Sequence, residues 1–240
     1  MEPKVPPAGW ATDKLTHYLQ AASENRWATF VGKRGYVQKL IGIDACFDRC
    51  AGHFTSTKLL VPFMLFVRSH AAFRGACENA MAGQATECFR HIRGCLENAA
   101  YALRIASSDD LAAVWLSRHE DPQSDSAMRK AFQMAELRKS IKKLDVRCAE
   151  VFDLLYQRSV DYGAHPNERS VTGSLSIEKV DGGSEFRQQM LHGDGVSLDF
   201  ALKTTAQAGI CALDVLRGLN SSRFEILGVN ADLADLRAGL

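Results

Sequence analysis

The chain lacks any apolar run long enough to cross a bilayer. Its densest stretch, Leu59 to Val67, is about half of the roughly 20 residues a spanning helix needs, and Arg68, Ser69 and His70 follow at once. Membrane insertion is therefore not expected. An excess of one charge is also missing: 29 Lys and Arg face 28 Asp and Glu, for a net charge of +1. No global field draws such a chain to nucleic acid or anionic lipid, so binding of that kind would need a local patch. The start, Met1-Glu2-Pro3-Lys4-Val5-Pro6-Pro7, has no apolar core of a secretory signal, which predicts a cytoplasmic chain with reduced thiols. Its 7 cysteines are odd in number and irregularly spaced, so no disulfide framework is expected. There is no Cys-x-x-Cys pair, no Gly-x-Ser-x-Gly elbow, no Gly-x-Gly-x-x-Gly after a strand and no Walker-type phosphate loop. These absences argue against thiol redox, hydrolase, dinucleotide and NTP chemistry, and no cofactor is expected. Internal repeats and low-complexity tracts are missing too.

What is present is an ordinary globular composition: 240 residues, 46% hydrophobic, 24% charged and 8% aromatic. A chain of this size buries enough surface for one core without disulfides or a structural metal. Apolar residues recur at helical intervals along most of it. Leu15, Tyr18, Leu19, Ala22 and Trp27 predict a helix near 11–30, ahead of Gly32 and Gly35. Tyr36, Leu40, Ile43, Phe47, Cys50 and Phe54 predict a second over 35–56. Residues 59–81 are apolar around most of the circumference, the pattern of a helix at a bundle's centre, with Arg74 and Glu78 spaced to pair. Cys88, Ile92, Cys95, Leu96, Ala99, Leu103 and Ala106 define the clearest helix, 84–106.

Farther along, Ser107-Ser108-Asp109-Asp110 suits the start of a short helix ending near Arg118, and His119-Glu120-Asp121-Pro122 predicts a loop over 119–125. Met134, Leu137, Ile141, Leu144, Cys148, Val151 and Leu155 step alternately by three and four, which predicts one long helix over 126–163. Leu175 and Ile177 alternate with polar residues before Asp181-Gly182-Gly183, predicting a β-hairpin near 172–191. Leu198, Leu202, Thr205, Ala208, Ala212, Val215, Leu216 and Leu219 restore the helical period, and Ser222 with Glu225 offers a capping box for a short terminal helix. The expected fold is thus mostly all-α: a bundle of about four core helices in 59–219, an N-terminal helical extension in 1–58, a small β-hairpin insertion and a short helix or tail in 220–240.

One polar violation stands out. The seam of the long helix, continued, reaches Arg158 and Tyr162 before Gly163 and Pro166 end it. Arg158 and His165 are seven residues apart, so if helical geometry persisted they would project on nearly the same side, about 10 Å apart along the axis. The stretch from Leu155 to Asn167, with Arg158 and His165 separated by six residues, resembles the Arg-x(4–6)-His signature of the HEPN superfamily of helical bundles. The wider order is similar to a group of bacterial HEPN-like proteins: Arg93 and Glu97 on an earlier helix, then Tyr156, Ser159 and the following His165-Pro166, then a short extended segment and a helix, over roughly 60–219. The resemblance implies a metal-independent endoribonuclease, often of a toxin–antitoxin or phage-defence system, whose paired motifs meet across a homodimer. Such an enzyme cuts RNA by attack of the 2′-hydroxyl and leaves a cyclic phosphate. It implies RNA and a cognate antitoxin or defence partner as partners.

By that analogy Arg158 and His165 are the catalytic candidates, with Arg93 and Glu97 supporting. A near-neutral imidazole can move the hydroxyl or leaving-group proton, and a permanent guanidinium can stabilise charge developing on phosphate. The alternative is a non-catalytic nucleotide- or protein-binding module, in which Arg158 pairs with a buried acid and His165 caps the bundle end. Glu97 has the choice of pairing locally with Arg93, holding Arg158 or orienting His165. Ser159 and Tyr162 can donate hydrogen bonds, but near a helix end they are read as satisfying local backbone or the core margin. Arg138, Lys139, Lys142, Lys143 and Arg147, opposed only by Asp145, form a basic stripe where RNA phosphates would dock without base readout. Cys46, Cys50 and His53 put metal-capable groups on or near one face, yet lack zinc-knuckle spacing and share an apolar stripe, so no metal site is assigned.

Overall fold

The computed structural model describes residues 6–52, 60–166 and 168–240. Phe54, Leu59, His53 and Asn167 lie outside these, as does the 53–56 end of the predicted second helix. The chain is a mostly α-helical bundle with one small two-stranded sheet. In order it forms α1 (Lys14–Gly32), α2 (Arg34–Ala51), α3 (Leu60–Met81), α4 (Ala85–Ala106), α5 (Asp109–Leu116), α6 (Pro122–Ala131), α7 (Met134–Leu144) and α8 (Val146–Ser159). A wide five-residue turn, Val160–Ala164, then leads to α9 (Glu168–Thr172), β1 (Leu175–Val180), β2 (Gly183–Gln188), α10 (Val196–Leu216), α11 (Ser221–Ile226) and α12 (Val229–Arg237). Among the described residues, no helix is long and apolar enough to cross a membrane.

The central helix is α10, and this corrects the expectation that 59–81 takes that place. From Ser197 to Leu216 no residue of α10 is exposed, whereas α3 leaves Leu60, Met64 and Val67 exposed at 59%, 55% and 43%. The reason is side-chain size. Residues 201–213 of α10 are mainly Ala, Thr, Gly and Cys, so neighbouring helices approach it closely on several sides. A Cβ built on Gly209 would lie 2.5 Å from the Phe73 ring of α3 and 2.8 Å from Ile43 of α2. Hydropathy does not set α3 ahead, since α10 is at least as apolar, and the small residues of α10 allow the shorter packing distance. Val37, Leu40, Ile43 and Phe47 of α2 are buried, so α2 joins this core. In contrast α1 buries only Ala22 and Thr29 and shows Leu15, Trp27 and Val31 to solvent.

The long helix expected over 126–163 is three helices. Asp121 opens the first, accepting from Ser124 N at 2.7 Å with Pro122 at the first helical position, so residues read as a breaker are a helix start. The chain bends again at Phe132-Gln133. At Asp145 the backbone is extended (φ −161°, ψ 123°) and the carboxylate caps α8 through Cys148 N at 3.0 Å. The apolar period survives both breaks, because every piece packs on the same core. At the end of the chain, Asn220 rather than Ser222 caps α11, accepting from Arg223 N at 3.1 Å. Glu225 instead takes the Asn230 amide at 2.6 Å.

Ion pairs lock the outer helices. Arg74 does not pair with Glu78: its guanidinium meets Asp44 at 2.7 Å and Asp48 at 2.9 Å on α2, while Glu78 takes Arg26 of α1 at 2.7 Å. Carboxylates on the facing helix offer Arg74 a two-point grip that one acid on its own helix does not. His70, buried and stacked on Phe47 at 4.8 Å, adds a 2.6 Å bond to Asp44. The hairpin forms as expected, with Gly182 in the left-handed region (φ +88°) at its turn. Every residue of both strands is exposed, and the base is tied to the bundle by His192 N donating to Gly83 O at 2.8 Å.

Two outcomes follow for stability. Gly209→Ala puts a methyl group into the three-helix contact and is expected to cost about 1–3 kcal/mol in urea unfolding, the range of core overpacking. Burial raises the Asp44 carboxyl, but hydrogen bonds from Arg74 and His70 outweigh it and hold the group below its ordinary 3.8. Its contribution is therefore complete above that value and lost as pH falls through the lowered one. Asp44→Asn should unfold more easily than the native chain at neutral pH by about 1–3 kcal/mol. Denaturant midpoints of the two proteins should converge as pH drops below 3.8.

Candidate functional site

One face of α4 carries Thr86, Arg90, Arg93 and Glu97 at steps of four, three and four, so they line up along the helix. The wide turn after α8 packs on the first turns of this face. At Gly163 a Cβ would lie 2.1 Å from Thr86 O, so only glycine permits the approach, and Arg90 Nε donates to Gly163 O at 3.2 Å. The chain then becomes extended and delivers His165 to Arg93.

Arg93 Nη1 lies 2.5 Å from His165 Nε2. A guanidinium only donates, so in this contact Nε2 accepts and the neutral ring carries its proton on Nδ1. Arg93 Nε also donates to Glu97 at 2.8 Å, and the guanidinium stands 5.4 Å from the centre of the Tyr156 ring. Tyr156 in turn donates to Glu97 Oε1 at 3.1 Å. Burial first, and then the Glu97 charge, push the Tyr156 phenol above its ordinary range, so it remains a donor at neutral pH. His165 is exposed, while Arg93 and Glu97 are partly buried. The result is a fixed cation beside an open imidazole, backed by a carboxylate and a phenol.

Arg158 takes a different direction. It lies two residues past Tyr156 on α8, about 200° around the helix. Tyr156 therefore faces α4 and Arg158 faces α10. Its Nη1 donates to Gln207 Oε1 at 2.9 Å and Thr204 Oγ1 at 3.3 Å, and it stands 5.3 Å from the Phe200 ring centre. These partners are neutral, not the buried acid of the structural reading. The helical extrapolation from Arg158 to His165 ends at the wide turn, which changes the phase of the chain. Of the four candidates, the structure joins Arg93, Glu97 and His165, while Arg158 binds a separate helix. Ser159 is buried and returns its hydroxyl to Tyr156 O at 2.6 Å, and Tyr162 packs between Phe89 and Phe200.

The basic stripe is divided. Arg138 is held by Asp153 at 2.5 Å, and Lys139 lies 4.0 Å from Glu136. Lys142 and Lys143 end α7, and Arg147 opens α8 beyond the Asp145 break. Among the described residues, these last three have no acidic partner. Cys46 and Cys50 are buried, and burial pushes the Cys50 thiol up to about 12, with Cys46 adding to the effect. Among the described residues, no cluster of three or more ligating side chains could hold a metal.

Tyr156 entered the sequence reading only as part of the wider HEPN-like order, with no role assigned to it. The signal was its position two residues before Arg158, which places it on the opposite flank of α8 and toward Glu97. Comparison of the chain with protein-family models, with curated proteins and with solved structures found no match.

Proposed function

We propose that the chain is a metal-independent endoribonuclease of the HEPN type, acting as a homodimer, with His165 and Arg93 at the scissile phosphate. The observation that carries this reading is the contact of an exposed imidazole with a guanidinium already fixed by Glu97. When a phosphate arrives, Arg93 Nη1 turns from His165 to the phosphoryl oxygens while Nε stays on Glu97, and the freed Nε2 of His165 accepts the proton of the ribose 2′-hydroxyl. The 2′-oxygen bonds to phosphorus, the P–O5′ bond breaks, the 5′-oxygen takes a proton from solvent, and a 2′,3′-cyclic phosphate remains. Arg93 neutralises charge on the phosphoryl oxygens, and Glu97 and Tyr156 hold the guanidinium in place. Arg158 acts as a positioning residue, fixing α8 against α10. Lys142 and Lys143 supply sequence-independent contacts to RNA. The toxin or phage-defence setting, with an antitoxin or defence partner, rests on the HEPN resemblance.

A second reading is a non-catalytic helical module that binds a nucleotide or protein. It is favoured by the engagement of Arg158, whose hydrogen bonds to Gln207 and Thr204 serve the packing of two helices.

The deciding experiment incubates RNA with folded wild type, His165→Ala, Arg93→Ala and Arg158→Lys in EDTA, and analyses the ends formed. The nuclease reading expects cyclic-phosphate ends from wild type, a loss of about 100-fold or more for His165→Ala, and a comparable loss for Arg93→Ala. Arg158→Lys should retain most cleavage while lowering thermal stability. Intact RNA with wild type, or equal cleavage by His165→Ala, would overturn it in favour of the binding module.

A further inference from the structure

Away from the His165 cluster, a cavity of about 550 Å³ opens between α8, the second half of α10 and the end of the chain after α12. Its size falls within the roughly 300–1,000 Å³ of small-molecule sites. We infer that this groove binds a small amphipathic carboxylate: an apolar, chain-like body with one anionic head.

The polarity of the groove comes from helix direction. Arg217, just past α10, approaches Asp145, just before α8, at 3.9 Å, and Arg158 near the end of α8 reaches Gln207 in mid-α10. The two helices therefore run antiparallel, and the charged residues gather at one end of the groove. Arg147, Arg217 and Arg237 stand there with Asp145 and Asp214. Toward the other end the lining is Val151, Leu154, Leu155 and Ile210. Leu155 and Ile210 are 1% and 4% exposed, whereas Val151 and Leu154 are 46% and 59% exposed. The apolar end thus has a buried floor and an open wall, so a ligand can enter without unfolding the bundle.

The charges specify the head group. Asp214 is taken by Arg237, and Asp145 is shared between the α8 cap and the distant Arg217. Arg147 has no acidic partner among the described residues. A ligand carboxylate would pair with Arg147 and suits the planar fork of its guanidinium. The first turn of α8, where Arg147 sits, adds the positive end of its helix dipole. The length follows from the helix: Arg147 to Leu155 spans eight residues, about 12 Å at 1.5 Å per residue. A medium-length acyl chain fits that distance. Gln207 lines the same groove and accepts from Arg158, so an occupant would touch the residue that holds Arg158 in place.

Calorimetric titration of the full chain with decanoate, kept below its micelle concentration, tests this directly. Decanol and decyltrimethylammonium carry the same chain with a neutral or cationic head. Saturable one-to-one binding of decanoate is expected, at least tenfold weaker binding of decanol, and none of the cation. Arg147→Gln and Leu154→Asp replace exposed side chains and should leave the circular dichroism spectrum and thermal midpoint nearly unchanged while weakening decanoate tenfold or more. Absence of saturable decanoate binding would overturn the site. Equal affinity for decanol would overturn the anionic head, and unchanged affinity in both folded variants would place the ligand elsewhere.

Discussion

The close packing of α10 against its neighbours is the constraint on which the rest of the bundle depends. Gly209 lets α2 and α3 meet α10 at one point, with Phe73 and Ile43 filling the space its missing side chain leaves. A helix buried on so many sides needs small residues, and Ala201, Thr204, Thr205, Ala206, Ala208, Cys211 and Ala212 supply them. Buried hydroxyls on such a helix must also be satisfied. Thr205 returns its hydroxyl to Ala201 O at 2.8 Å, and Thr204 receives Arg158 at 3.3 Å. Polar atoms in the core are thus used to fix the helices that pack on it.

From this axis the two sides of α8 acquire different tasks. One side meets α10 through Arg158, and also forms the floor of the groove near Cys148 and Leu155. The other meets α4 through Tyr156, which braces Glu97 and thereby Arg93. Because α8 is clamped on both sides, its end is held firmly enough for the wide turn to seat Gly163 on Thr86. His165 then reaches Arg93 through a chain of packed contacts that begins at α10.

Much of the helical order was legible in the sequence because burial leaves a period. The stripe of α4 placed its ends within a residue, and the Asp181-Gly182 turn marked the hairpin. What escaped were features set by distance or by single backbone angles. The seam from Met134 to Leu155 keeps its period across the break at Asp145, because each piece faces the same core, so periodicity alone cannot reveal the interruption. The cap at Asp121 shows the same limit: Asp-Pro both ends one segment and begins the next, and only the following turn decides which dominates. The central place of α10 was masked by the unbroken apolar run that opens 59–81, whereas in α10 the apolar residues are interspersed with the small ones that mark close approach. At the site, His165 was nameable from its spacing to Arg158, and Arg93 and Glu97 from the HEPN resemblance. The separation of Arg158 was not, because it depends on a 200° offset from Tyr156 and on the phase change in the turn after Ser159.

That separation alters the physical meaning of the Arg158 and His165 pair. A guanidinium with two neutral acceptors on a packed helix has little freedom to follow charge developing on a phosphate. Arg93 differs in each respect: it is one contact from the imidazole, it is partly exposed, and its orientation is set by a carboxylate and an aromatic face. The Glu97 carboxylate lowers the net charge of the cluster, yet it also removes the reorganisation that a free arginine would need when a phosphate arrives. Preorganisation of this kind matters most where water is partly excluded, since there a fixed cation acts with less screening. In the nuclease proposed above, the electrophilic role therefore passes from the arginine that sequence spacing indicated to the one that the fold holds against the histidine.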